Sequence, residues 1–198
     1  MNEPQLTLAA AVLAGGRSSR MGRDKALLPW RGERLVDRQL RLLGSLRPER
    51  LMLSVRSGAD YGRPEIETVP DLQRDRGPLG GLEALLERSP ATHLLVIAVD
   101  MPMLSVDLLR ALVARCAPGR GVVPRHGGGL EPLAAIYPRE CGARFTRIWR
   151  ERRGAMHALV AAAAAAGELN LWDVPPRWED IFANWNRPED VAADGVTT

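Results

Sequence analysis

Leu94-Leu95-Val96-Ile97-Ala98-Val99 is an unbroken apolar run, and it restricts the fold more than any other segment. A strand with one face in water alternates apolar and polar residues. One that is apolar throughout must be covered on both faces, as in a parallel sheet layered by helices. The segments around it agree. Strands are predicted at Leu8–Leu13, Arg50–Val55, Glu65–Val69, His93–Val99, Gly121–Pro124, Leu133–Tyr137 and Leu169–Val174. Helical spacing is found over Leu35–Leu46, Gly80–Glu87, Val106–Arg115 (with Ser105 as cap), Ala143–Arg150 and Ala155–Ala166, with a last helix at Pro188–Ala193. Such alternation predicts a right-handed three-layer α/β fold with a mostly parallel central sheet. The 198 residues suit one domain spanning 1–198. Gly127-Gly128-Gly129 is expected to be a flexible loop, and the tail after Ala193 to fray.

The first predicted strand runs into Leu13-Ala14-Gly15-Gly16-Arg17-Ser18-Ser19-Arg20-Met21-Gly22-Arg23-Asp24-Lys25. Its glycines let bare N–H groups approach an anion, and Arg17, Arg20, Arg23 and Lys25 surround the loop with positive charge. A loop leaving the carboxyl end of a strand is where open α/β sheets bind ligands. Two familiar phosphate loops are excluded. Counted from Gly16, the second glycine of a Walker A loop falls one position late, and Lys25 is followed by Ala26. The adjacent Gly15 and Gly16 also break the Gly-x-Gly-x-x-Gly dinucleotide fingerprint.

The formal net charge of +3 and an aromatic content of 5% do not favour a nucleic-acid binder, which would need a stacking platform. An anionic small molecule matches the local basic loop better. Cys116 and Cys141 have no metal-type spacing, and His93, His126 and His157 lie far apart. No secretory leader or membrane span is expected, so the chain is read as cytoplasmic.

Asp100 directly follows the apolar strand, in Val99-Asp100-Met101-Pro102. A carboxylate there sits at the mouth of the sheet, where it could hold magnesium together with substrate phosphate oxygens. Asp71 ends the third predicted strand, and Gly77-Pro78-Leu79-Gly80-Gly81 opens the next helix. Either could face the same crevice or serve only as a turn. Asn184 and Asn186 alternate along an extended stretch, so both can face one side.

In this order these residues resemble the molybdenum cofactor guanylyltransferases, over nearly the whole chain. Leu13-Ala14-Gly15-Gly16 with Arg20-Met21-Gly22 and Asp24-Lys25 is similar to that family's signature loop. The resemblance implies a Rossmann-like nucleotidyltransferase fold, Mg²⁺ dependence, and transfer of GMP from GTP to molybdopterin. It assigns Leu13, Ala14, Gly15, Gly16, Lys25, Ser54, Asp71 and Asp100 to the nucleotide, and Lys25, Arg20 and Asp100 to catalysis. It gives Asp100 to the metal, and Asn184 and Asn186 to the pterin. Ser54 stands where related chains can carry Asn, and Glu131-Pro132 where some have His-Pro. Gly15 stands where cytidine-using relatives have a second alanine, which favours guanine. Acceptor molybdoenzymes and their chaperones are the implied protein partners, with no nucleic acid and no membrane. The rival readings are a nucleotidyltransferase using CTP or a sugar phosphate, and a non-catalytic nucleotide or pterin carrier.

Overall fold

The computed structural model describes residues 5–15, 24–71, 76–152 and 155–185. Strand β1 (Leu8–Leu13) lies at the middle of the main sheet, parallel to β4 (Arg50–Val55) on one side and to β6 (His93–Ala98) on the other. Strand β5 (Glu67–Pro70) adds in parallel outside β4. Beyond β6 comes β9 (Ala134–Pro138), antiparallel to both its neighbours, then β7 (Gly121–His126) and the parallel edge strand β10 (Leu169–Asp173). The strand order is β10-β7-β9-β6-β1-β4-β5, so the sheet is mostly parallel, with β9 the one reversed strand along this order and the short β8 (Gly129–Leu130) pairing antiparallel with β7 off it.

Helices cover both faces. Helices α1 (Leu35–Gly44) and α3 (Val106–Val113) pack one core with Leu35, Leu43, Leu108 and Leu112. Helices α2 (Pro78–Arg88), α4 (Cys141–Arg152) and α5 (Met156–Ala165) pack the other with Leu82, Leu85, Phe145 and Leu159. Every residue of β6 is buried, as its apolar run requires. The three layers expected from the sequence are present.

Differences from the sequence reading have local causes. Helix α2 starts at Pro78 rather than Gly80, because Gly77 (φ +55°) turns the chain and Pro78 is suited to a first helical turn. The expected loop at Gly127–Gly129 is a tight turn instead. Gly127 and Gly128 both have positive φ and join β7 to β8 (Gly129–Leu130) with His126 opposite Gly129. A second small hairpin, β2 (Pro29–Trp30) with β3 (Glu33–Arg34), turns through Arg31 and Gly32 and was not foreseen. Nor were the 3-10 helices Lys25–Leu27 and Pro176–Phe182. The expected helix at Pro188–Ala193 lies outside the described residues.

Candidate active site

Strands β1, β4, β5 and β6 are parallel, so their carboxyl ends share one edge of the sheet. That edge opens into a cleft of about 600 Å³, measured out to its solvent mouth. Leu13, Ala14 and Gly15 leave β1 there, Ser54 is near the end of β4, Asp71 follows β5, and Val99 and Asp100 follow β6. Gly77, Pro78 and Gly81, at the start of α2, form a wall, and Lys25 enters from the first 3-10 helix.

Main-chain bonds continue past the strand ends and fix these loops. Ala14 N–H donates to Ser54 O (3.0 Å), Val99 N–H to Leu13 O (3.1 Å) and Asp71 N–H to Val55 O (3.0 Å). The base of the cleft is close-packed. Ser54 Oγ donates to Asp71 Oδ1 at 2.6 Å. A Cβ on Gly15 would lie 2.5 Å from Asp71 Oδ2, and one on Gly81 would lie 2.5 Å from Ser54 Oγ. Both glycines are therefore required by the approach of Asp71 and Ser54. Burial pushes the Asp71 carboxyl above its ordinary range, opposed by the Ser54 hydrogen bond and the charge of Arg56.

At the other end of the cleft Lys25 Nζ meets Asp100 Oδ2 at 2.8 Å, with side chains 17% and 22% exposed. Asp24 fixes the lysine's helix: its Oδ1 accepts from Ala26 N–H (3.0 Å), and its Oδ2 accepts from Tyr61 Oη (2.9 Å). Burial, then the hydrogen bond to Asp24, raise the Tyr61 phenol, which stays protonated as a donor. The Asp100 loop is held from α1. Buried Gln39 donates through Nε2 to Met101 O (2.7 Å) and Ala98 O (3.3 Å), and Arg38 Nε donates to Pro102 O (2.7 Å). Sequence reasoning missed all three supports. Gln39 carried a signal, being the one polar residue on the buried face of α1. Tyr61, in a polar connecting segment, carried none.

This cleft unites a glycine-lined strand end, a lysine and a carboxylate, the elements needed to hold a nucleoside triphosphate. Residues 10–166 match the family model for the MobA-like NTP transferase domain. The chain belongs to that family. It is 41% identical over 186 residues, 92% of each chain, to a probable molybdenum cofactor guanylyltransferase of Opitutus terrae. Among solved structures it is similar to the molybdopterin-guanine dinucleotide biosynthesis protein A of Archaeoglobus fulgidus (TM-score 0.68, 23% identity, 93% of this chain and 95% of that one). It is also similar to a nucleotidyl transferase of Methanothermobacter thermautotrophicus (TM-score 0.75, 16% identity, 95% of both). The fold is thus the Rossmann-like nucleotidyltransferase fold that the sequence implied.

Within this family fold the remaining expected residues divide. Leu13, Ala14, Gly15, Lys25, Ser54, Asp71 and Asp100 come together. Gly16, Arg20 and Asn186 lie outside the described residues. Asn184 is exposed and does not line the cleft, but its neighbour Trp185 donates its main-chain N–H to Asp100 O at 2.8 Å. Glu131 also stands off the cleft, 2.8 Å from His126 Nε2, while Leu133 contributes to the wall. Cys116 and Cys141 are free thiols, and burial pushes Cys116 up to about 12, which disfavours its thiolate.

Proposed function

We propose that the protein transfers GMP from GTP to molybdopterin, giving the guanine dinucleotide cofactor and pyrophosphate. The observation that carries this reading is the pairing of Lys25 with Asp100 at one end of a cleft whose other end is closed by Gly15, Ser54 and Asp71. Nucleotide and acceptor chemistry come from the names of the relatives, and the cleft supports them. The Asp71 carboxylate offers acceptors to a base that presents two adjacent donors, as the N1–H and N2–H of guanine do. Cytosine and adenine lack that pair.

The nucleophile is the terminal phosphate of molybdopterin, already an anion, so no general base is required. It attacks the α-phosphorus of GTP, the bond to the bridging oxygen breaks, and pyrophosphate leaves with the electron pair. The protein's part is positioning and charge stabilisation. Lys25 stabilises charge growing on pyrophosphate, with Arg20 as an expected helper. The main chain of Leu13–Gly15 holds the nucleoside.

Among the described residues no three His, Cys, Asp or Glu side chains gather into a metal cage. Asp100 alone suits Mg²⁺, which is commonly held by one or two carboxylates plus substrate phosphates. With Oδ2 facing Lys25, Asp100 would hold such an ion through its carboxylate, and the ion would supply neutralisation of phosphate charge. Among the described residues no helix is long and apolar enough to cross a membrane. The reading places the enzyme in the cytoplasm, delivering product to acceptor molybdoenzymes and their chaperones.

The test is pyrophosphate release with molybdopterin and Mg²⁺ from GTP, CTP or ATP. Release confined to GTP and dependent on the pterin is expected. Release from CTP would move the protein to the cytidylyl branch. Folded protein that binds GTP but releases nothing would favour the carrier reading.

A further inference from the structure

Lys25 and Asp100 come from segments 75 residues apart, and a closed ring of contacts sets their spacing. The 3-10 helix Pro176–Phe182 leads into Trp185, which contacts both arms of this ring. The main-chain N–H of Trp185 donates to the carbonyl of Asp100 itself, at 2.8 Å. Trp185 is 5% exposed, and its ring meets Trp30 edge to face, with centroids 5.7 Å apart and planes at 89°. Trp30 is buried and lies in the strand that directly follows the Lys25 helix. Arg38 closes the ring: its guanidinium carbon is 4.4 Å from the centre of the Trp30 ring, and its Nε donates to Pro102 O, two residues after Asp100.

We propose that Trp185 is a positioning residue for the transfer. It sets the separation of Lys25 and Asp100 and holds the segment bearing Asn184 in register with them. The main-chain bond, which any residue but proline can make, ties the segment to Asp100. What the tryptophan side chain adds is its ring against Trp30. The edge-to-face contact then passes the same constraint to the Lys25 arm. The inference rests on the transferase reading of the cleft. It extends that reading by assigning a role to a residue that touches neither nucleotide nor reacting phosphate.

The experiment compares wild type, Trp185→Ala and Trp185→Phe in kcat, in binding of pyrophosphate with Mg²⁺, and in binding of guanosine. Misplacement of a positioned group by an ångström can cost about a hundredfold. Trp185→Ala is therefore expected to lose about ten- to a hundredfold in kcat and to bind pyrophosphate more weakly. Its guanosine affinity should be unchanged, and Trp185→Phe should recover most of the loss. A purely structural role would instead weaken guanosine and pyrophosphate together, and would overturn the proposal. Wild-type kcat and pyrophosphate affinity in folded Trp185→Ala would also overturn it, as would a folded Phe variant as impaired as the Ala variant. If Trp185→Ala does not fold, Trp30→Leu tests the same link: it keeps apolar volume, removes the aromatic partner, and should show the same selective loss. Wild type that releases no pyrophosphate from GTP removes the transferase reading instead. The pyrophosphate-binding comparison still decides the positioning role, because Lys25 and Asp100 face that anion whatever the acceptor is.

Discussion

Asp71 carries a cost at neutral pH that its proposed role at the guanine explains. Burial raises its folded-state pKa above the unfolded value, so folding disfavours the ionised form. The stability linked to it is fully present below the unfolded pKa and is lost as pH rises through the folded one. Asp71→Asn, neutral at every pH, should therefore melt higher than wild type at pH 7, and the difference should shrink towards acid pH. In the proposed binding mode the same change leaves guanine facing a side chain with one acceptor. Losing a charge-assisted hydrogen bond costs about 2 kcal/mol, roughly thirtyfold in GTP affinity. Calorimetric melts across pH, together with GTP titration, check both halves. Lys25→Ala should lower kcat by about two orders of magnitude or more, in line with removal of a single donor from a developing anion. Asp100→Ala should abolish turnover while circular dichroism stays that of wild type; full activity in that variant would remove Asp100 from the proposed metal role. These residues were legible because each follows a strand on one edge, or belongs to a loop of unusual glycine and charge content. Tyr61 and Arg38 were not, because they act through backbone carbonyls and Asp24, contacts between distant segments that no local pattern announces.

Helix α2 shows how an element can be readable while its reason is not. Its apolar face announced a helix, but not why Gly80 and Gly81 open it. Glycine in a helix ordinarily costs about 1 kcal/mol against alanine, so Gly81→Ala would normally stabilise. Here the added Cβ would lie 2.5 Å from Ser54 Oγ, 2.8 Å from Leu13 Cδ2 and 2.9 Å from Asp71 Oδ1. Two of these neighbours are fixed, Ser54 by full burial and Asp71 by the Ser54 hydrogen bond. Overpacking costs about 1–3 kcal/mol, so it outweighs the propensity gain. Gly81→Ala is expected to lower the urea midpoint and raise the KM for GTP together, because the strained atoms are those that close the nucleotide end of the cleft. A raised midpoint with unchanged KM would show that α2 can retreat. The hairpin β2–β3 illustrates the other limit. Each of its strands has two residues, too few for an alternation to register, and its turn rests on positive φ at Arg31 and Gly32.

On the scale of the molecule, the sheet divides its labour between its two edges. The carboxyl edge collects the cleft, where Gly15, Gly77 and Gly81 take the place of side chains that would otherwise fill it. The amino edge carries no such demand and is latched. Thr7 N–H donates to Thr92 Oγ1 (2.9 Å) and Thr92 N–H to Thr7 Oγ1 (2.9 Å), while Thr92 Oγ1 donates to Thr7 O at 3.0 Å. This reciprocal pair ties the entry of β1 to that of β6, the two central strands whose exits carry Gly15 and Asp100. The alternation of elements revealed the sheet but not the latch, because two threonines 85 residues apart become neighbours only through strand order. Thr92→Val keeps the shape, removes the hydroxyl and leaves the Thr7 N–H without that acceptor. The expected cost is about 1–2 kcal/mol, or roughly 2–8 °C in a chain of this size. Since β1 and β6 stay paired along their full length, the cleft at their far ends should not move, and kcat and the KM for GTP should remain those of wild type. Parallel melting and steady-state measurements decide the point. A fall in kcat at temperatures where Thr92→Val is fully folded would mean that the two edges are mechanically coupled through the strands, and that stability and catalysis are not separable in this sheet.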